Sequence, residues 1–334
     1  MDFSEQLTFP GTNITVSNYL STIGKDRIVN TIIEGLAAHP RYIPSMFFYD
    51  AQGSKLFEEI TRLPEYYASR TEMELIRGFA NVSGGQLSDL DIIELGSGDC
   101  KKISILLDSI DCARLRSINY KPLDVSLTAL RESANILAGR YPGLTIHCIV
   151  ADFLTQLHLV TKSRRRLFCF FGSTIGNLTS KDRRKFLSAI GRSMQTDDLL
   201  LVGVDMVKQK EILERAYNDR QEVTARFNRN ILNVINGITG TNFELDSFEH
   251  NAFYNEKYSR IEMHLKALRN MIISSSNYPF QIEIRRGESI HTENSYKFTI
   301  NKITELVEAA GLKIDTFLMD QKKWFSLLQL TKKQ

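Results

Sequence analysis

From Leu90 to Met206 one rhythm constrains the fold more than any other feature of the chain. Short apolar stretches, "DIIEL", "SINYKPLDV", "TIHCIVADF", "RLFCFFG" and "DLLLVGVDM", read as strands. Between most of them lie amphipathic stretches that read as helices, "KKISILLDSI", "LTALRESANILAGRY" and "KDRRKFLSAIGRSM". Strands spaced by helices predict βαβ units and a parallel sheet, so the class is α/β. After Met206 the rhythm stops. Residues 207 to about 275 read as mostly polar helical patterns, with "RFNRNILNVINGI" the clearest. "QIEIRRGESIHTENSYKF" then reads as two strands joined by a glycine turn. "TINKITELVEAAGLKIDTFLMD" reads as a helix ending at Gly311 and a strand, and "WFSLLQLTKK" as a final strand. The sheet is therefore expected to be interrupted by an insert and resumed at the end.

Ahead of this region, residues 1 to about 45 read as a leader and one helix. In "GKDRIVNTIIEGLAAHP" the residues Ile28, Ile32, Ile33 and Leu36 recur at helical spacing, and Pro40 lies just past the end. "FFYDAQGSKLFEEITRLPEYYASRTEMELIRGF" reads as a turn at Gln52–Gly53, a short helix, a break at Pro64 and another helix from near Ser69, with Thr71 and Glu74 as a capping box. A chain of 334 residues has room for one large or two medium domains.

Composition excludes several function classes. The net charge is only +3, from 42 basic and 39 acidic residues, which gives no electrostatic case for nucleic acid. The basic run Lys162 to Arg166, "KSRRR", reads as a solvated loop. Cys100, Cys112, Cys148 and Cys169 show no CxxC spacing, so neither a zinc site nor a disulfide framework is expected, and no metal. The opening "MDFSEQLTFPG" does not read as a signal peptide, and no apolar run approaches the roughly 18 residues of a membrane span. The expectation is a cytoplasmic monomer with no membrane partner.

The chemistry starts at "ELGSGDCK". Gly96 and Gly98 let the backbone turn sharply and approach a ligand. A dinucleotide fingerprint would place a third glycine where Lys101 stands, and its acidic residue sooner than Asp124 in "YKPLDVS". S-adenosylmethionine fits better: it has no pyrophosphate, and needs a glycine turn and a carboxylate for its ribose. Asp124 is the candidate carboxylate. Asp152, in "VADF", is placed to accept from the adenine amino group, with Phe153 beside the ring. Taken singly, each aspartate also fits a strand-end turn or a helix cap.

The residues then carry a likeness. "FFYDAQGSKLFEEITRLPEYYASRTE", "ELGSGDCKK", "YKPLDVS", "FFGSTIGNLT", "AYNDRQEVTARFNRNIL" and "IHTENSYKF" resemble the histidine-specific Nα-methyltransferases of ergothioneine biosynthesis. The resemblance runs from about residue 30 to the C-terminus. It implies a Rossmann-like methyltransferase domain, residues 72–206 and 298–334, and a discontinuous substrate-binding domain, residues 1–71 and 207–297. Its cofactor set comprises Glu94, Gly96, Ser97, Gly98, Lys102, Asp124, Asp152 and Phe153. The same family includes fungal enzymes that methylate a prenylated tryptophan, so substrate choice rests on the pocket.

In "IHTENSYKF" strand alternation puts Glu293 and Ser295 on one face. The resemblance makes this pair the imidazole clamp, which suits L-histidine and not an indole. By the same resemblance Asn177, Tyr66 and Tyr217 hold the carboxylate and backbone groups. Tyr49 stands near the amine as the catalytic position, and Thr224 and Met263 support the pocket. The implied reaction is three methyl transfers to the α-amine. The competing readings are an N-methyltransferase for another aromatic amino acid, a cofactor-binding protein without catalysis, and a dinucleotide oxidoreductase.

Overall fold

The computed structural model describes residues 5–8, 13–20, 24–160 and 164–333. The chain forms two compact units. One comprises Met1–Thr22, Ala68–Val207 and Phe298–Gln334, the other Ile23–Tyr67 and Lys208–Lys297.

The first unit is built on a nine-stranded sheet. From one edge to the other its strands are Glu5–Thr8, Ile14–Asn18, Thr145–Val150, Asn119–Asp124, Leu90–Leu95, Arg165–Phe170, Leu199–Asp205, Phe325–Lys332 and Leu312–Met319. The six strands from Ile14–Asn18 to Leu199–Asp205 run parallel, and the remaining three pairings are antiparallel. The expected parallel sheet is thus a mixed one. Its central strand, Leu90–Leu95, is buried at every position. Two of those positions are acidic. Asp91 is matched by Lys121 Nζ at 2.7 Å and Asn119 Nδ2 at 2.9 Å, as a buried charge requires.

Helices on the sheet start where side chains can satisfy free amides. Ser126, Thr179 and Thr299 cap Leu127–Arg140, Ser180–Ser193 and Ile300–Ala309, accepting from Ala129, Asp182 and Lys302. Arg165 and Arg166 are strand residues and not a solvated loop. Arg166 is buried against Asp198, 2.6 Å away, and Arg165 donates to the Asp197 carbonyl. Lys162 and Ser163 of that run lie outside the described residues.

The opening segment departs from the expected division at residue 71. Ile14–Asn18 adds to the sheet along Thr145–Val150, and Ile14 and Val16 enter the same core as Ile146 and Cys148. The five-residue alternation "ITVSN" is a half-buried strand, too short to stand out from a leader.

The second unit has a four-stranded sheet in the order Arg41–Tyr42, Ser289–Tyr296, Arg260–Ala267, Phe248–Asn255. Its helices are Lys25–Ala37, Ala51–Arg62, Lys210–Tyr217 and Val223–Thr239. Two expectations fail in this unit. Residues 241–275 are mainly strands, because "FEHNAFYN" and "RIEMHLKA" alternate buried with polar positions and carry no helical stripe. Gln281–Ile284 and Ser289–Tyr296 are the two expected strands, joined through the turn at Gly287, and each pairs elsewhere. The former pairs with Met271–Ser274 in a separate ribbon, and the latter with Arg260–Ala267. Gln52 and Gly53 lie inside the helix Ala51–Arg62, which Asp50 caps through Gly53 N at 2.7 Å. Gly53 is needed for closeness: a Cβ there would stand 1.7 Å from the Phe48 carbonyl oxygen. Likewise Thr71 and Glu74 lie within Tyr67–Ser83 and form no capping box.

Candidate functional site

In the first unit three adjacent parallel strands end side by side. They deliver the Gly96–Gly98 turn, Asp124, and Asp152 with Phe153. The carboxyl ends of such strands are where open α/β sheets bind ligands. Gly96 and Gly98 have φ of 66° and 51°, a region that other residues enter at a cost. Gly98 N donates to Asp124 Oδ2 at 3.0 Å, and Ser126 N donates to Oδ1 at 2.9 Å. These bonds, with one from the Val125 backbone, oppose the burial that pushes the Asp124 carboxyl up. The Phe153 ring covers Gly96, with its Cε1 3.6 Å from where a Cβ would stand. Asp152 spends both oxygens on its own turn, taking Leu154 N and the Thr155 hydroxyl at 2.9 Å each.

Beneath the turn the charged groups are tied together. Glu94 is buried and takes a short hydrogen bond from the Tyr120 hydroxyl. Burial pushes its carboxyl up to about 8, against that hydrogen bond and the charge of Lys102. Lys102 Nζ is 2.8 Å from Glu72. Glu72, only 1% exposed, also accepts Gly172 N at 2.8 Å on both oxygens. Room for it is made by Gly203, where a Cβ would lie 1.8 Å from the carboxylate. The sequence reading missed Glu72, whose only signal is an acidic residue inside an otherwise ordinary helix.

Asn177 ends the 3-10 turn Thr174–Asn177 that follows the Arg165–Phe170 strand. The buried Arg183 clamps this turn through the carbonyls of Ile175 and Leu178, at 3.1 and 2.9 Å. That clamp fixes the backbone of the turn on which Asn177 stands.

Two features test whether the glycine turn suits S-adenosylmethionine. The Ser97 hydroxyl is buried with no hydrogen-bond partner. A Cβ built on Gly98 would meet nothing within 4 Å, so open space lies over the backbone. Together with Asp124 they fit a polar, hydroxyl-bearing ligand laid across the turn. Gly98→Ala is expected to weaken S-adenosylmethionine binding about ten-fold in calorimetry, since a left-handed non-glycine residue costs roughly 1–2 kcal/mol. Unchanged affinity would remove the turn from the cofactor site.

In the second unit the decisive feature is a bulge. Across the strand pair Glu293 faces Met263 and His291 faces His264, which leaves Thr292 as an extra residue. Thr292 is pinned there, donating to Asn228 Oδ1 at 2.7 Å and to the Met263 carbonyl at 3.1 Å. Before the bulge the even positions Ile290 and Thr292 are buried. After it the odd positions Glu293, Ser295 and Lys297 are. The bulge thus turns three polar side chains inward in a row.

Tyr217 OH donates to Ser295 Oγ at 2.8 Å, and Lys297 Nζ donates to Ser295 Oγ at 2.8 Å and to Tyr217 OH at 3.2 Å. Burial pushes the Glu293 carboxyl up to about 7, with the charge of Lys297 drawing it back. Tyr66 lies 6.2 Å from Tyr217 between ring centroids and 6.3 Å from Phe57. Phe57 and Phe227 are 6.0 Å apart, and Tyr49 is 5.8 and 6.1 Å from them. Thr224, buried one turn from Phe227, has its backbone N–H held by Asp219 at 2.8 Å.

The predicted Tyr49, Tyr66, Tyr217, Thr224, Met263, Glu293 and Ser295 therefore belong to this one unit, where ring contacts, hydrogen bonds and the strand pairing link most of them. Asn177 belongs to the sheet unit with the cofactor set. Phe57, Phe227 and Lys297 were missed. Lys297 could have been found by continuing the Glu293–Ser295 alternation by two residues. Among the described residues no group of three metal-ligating side chains occurs, and no helix is long and apolar enough to cross a membrane.

A family model described as histidine-specific methyltransferase, SAM-dependent, matches residues 28–332. A histidine N-alpha-methyltransferase of Mycolicibacterium smegmatis is 38% identical over 302 residues, covering 90% of this chain and 94% of its own. One from Mycobacterium tuberculosis is also 38% identical, covering 90% of this chain and 93% of its own. Ergothioneine biosynthesis protein 1 of Schizosaccharomyces pombe is 26% identical, covering 81% of this chain and 36% of its own length. With 305 of 334 residues inside the family model (332 − 28 + 1), the chain belongs to the S-adenosylmethionine-dependent, histidine-specific methyltransferases.

Proposed function

We propose that the protein methylates the α-amino nitrogen of L-histidine three times in succession, giving Nα,Nα,Nα-trimethylhistidine (hercynine), the first step of ergothioneine biosynthesis. The observation that carries this reading is the pair Glu293 and Ser295, turned onto one buried strand face by the bulge at Thr292. A buried carboxylate is costly unless a polar group meets it, and the Ser295 hydroxyl beside it keeps a hydrogen to offer. An imidazole, with one N–H and one bare nitrogen, meets both. An apolar indole face leaves the pair unmet.

S-adenosylmethionine, when bound, supplies an electrophilic methyl on a sulfonium. Gly96, Ser97, Gly98, Lys102, Asp124, Asp152 and Phe153 would hold it, with Glu94 bracing the turn from below. Tyr66 would hold the histidine carboxylate, Tyr217, whose one hydrogen goes to Ser295, would accept from the backbone amine, and Glu293 and Ser295 would hold the ring. Anchoring both ends leaves the amine free to turn between transfers. The chain's task is placement and exclusion of water, and no covalent step on a side chain is needed. The amine must be neutral to react, and an α-amino group is mostly protonated near pH 7, so a proton must leave it before each transfer. Tyr49 is the nearest candidate to orient it. The aromatic faces of Tyr49, Phe57, Tyr66 and Phe227 suit a nitrogen that gains a fixed positive charge.

The test is a mass spectrum of each common amino acid, and of a prenylated tryptophan, after incubation with the purified protein and S-adenosylmethionine. Mass gains of one, two and three methyls on histidine alone are expected. Methylation of a tryptophan-type substrate in place of histidine would overturn the ring assignment. Sizing of the pure protein is expected to give a monomer.

A further inference from the structure

Lys297 has no part in the readings above, yet it is a lysine only 2% exposed and directed into the pocket wall. An ammonium group donates hydrogen bonds and accepts none. Its bond to Ser295 Oγ at 2.8 Å therefore has a fixed direction. The Tyr217 hydroxyl, itself receiving from Lys297 at 3.2 Å, donates to the same oxygen at 2.8 Å. A serine hydroxyl has two acceptor lone pairs and one hydrogen. Both lone pairs of Ser295 are taken, and only its hydrogen is left to offer a ligand.

We infer that Lys297 is a positioning residue that makes Ser295 a donor only, so that the pocket accepts a ring with a bare nitrogen facing Ser295. This rests on the histidine reading and sharpens it. The bound ring is a neutral imidazole in one tautomer, with its N–H toward Glu293 and its unprotonated nitrogen toward Ser295. A pyrrole, whose one ring nitrogen carries a hydrogen, leaves the Ser295 hydrogen without an acceptor. An imidazolium sets its second N–H against it. The geometry thus reads proton position as well as ring shape. It does so through a residue that need not touch the substrate.

The test compares L-histidine with the two ring isomers of pyrrolylalanine, which carry a ring N–H and no bare nitrogen. Each is assayed with the wild type, Lys297→Met, Lys297→Gln and Ser295→Ala. The wild type is expected to favour histidine in kcat/KM by a hundred-fold or more, because a site built to hydrogen-bond a polar group rejects an analogue that cannot answer it. The Lys297→Gln amide can still donate and serves as the control, while in Lys297→Met the Ser295 oxygen regains a free lone pair. The preference is then expected to shrink at least ten-fold, through the histidine KM and not the S-adenosylmethionine KM. In Ser295→Ala a further Lys297→Met change should leave the preference where it is, a coupling that a merely structural lysine would not show. A wild type that methylates histidine yet takes pyrrolylalanine equally well overturns the inference, whether or not the lysine variants fold. So does an undiminished preference in folded Lys297→Met. A wild type that does not methylate histidine at all overturns instead the reading beneath it.

Discussion

Replacing Glu293 with alanine is expected to raise the histidine KM about ten- to a hundred-fold while leaving the KM for S-adenosylmethionine within a factor of two. The range follows from removing a hydrogen bond to a buried charged group, worth roughly 1.5–3 kcal/mol. Steady-state kinetics in both substrates checks it, and an equal loss for the two substrates would show damage beyond the ring site. Glu293→Gln adds a pH signature. Burial pushes the Glu293 carboxyl up to about 7, so near pH 6 it is largely protonated and a poor acceptor for a ring N–H. Histidine affinity should therefore improve as pH rises through 7. Free histidine loses its own ring proton in the same range, at a pKa of roughly 6.5. The glutamine variant keeps that second dependence and loses the first, so its profile should be shallower. Stability runs the other way. A carboxyl raised from its ordinary 4.5 to about 7 favours the fold below pH 4.5 and loses that contribution as pH rises through 7. Unliganded Glu293→Gln should then match the wild type near pH 4.5 and exceed it at pH 8, by a few kcal/mol at most.

Glu72→Ala should be the more damaging change for the fold. It removes the partner of Lys102 at 2.8 Å and the acceptor for Gly172 N. Breaking a buried ion pair costs roughly 3–5 kcal/mol. Lys102 retains 19% of its exposure, which sets the expectation at the lower end, about 3 kcal/mol. Urea unfolding followed by circular dichroism reads the loss as a lower midpoint. Loss of less than about 1 kcal/mol would mean that Lys102 finds water easily. Because Lys102 lies in the first turn of the helix Lys101–Leu107 that follows the glycine turn, weaker S-adenosylmethionine binding should accompany the lower midpoint.

The α/β rhythm was legible because five strands buried on both faces leave runs such as "DIIEL" that no surface helix would carry. The placement of Gly96, Asp124 and Asp152 at neighbouring strand ends was legible for a related reason: strand ends follow directly from strand positions. Where reading failed, non-local partners decided. "ITVSN" is a strand because Thr145–Val150 waits beside it. Gly53 sits in a helix because the Phe48 carbonyl lies against it. The bulge at Thr292 exists because Asn228 and the Met263 carbonyl hold it. Simple alternation paired Glu293 with Ser295 correctly, since both lie beyond the bulge. It could not foresee that Thr292, one residue earlier, faces inward too.

The last strand, Phe325–Lys332, lies between Leu199–Asp205 and Leu312–Met319, inside the sheet and not at its border. During synthesis the parallel strands can assemble early, but Leu199–Asp205 keeps an unsatisfied border until Phe325–Lys332 has left the ribosome. The intervening Lys208–Lys297 segment must be made first. A nascent chain stalled before Phe325 therefore exposes a run of unpaired amides and carbonyls on a strongly apolar strand, the condition that invites pairing with another chain. Nonsense changes just ahead of Phe325 should for this reason yield aggregates, where loss of a peripheral strand would only trim an otherwise finished fold.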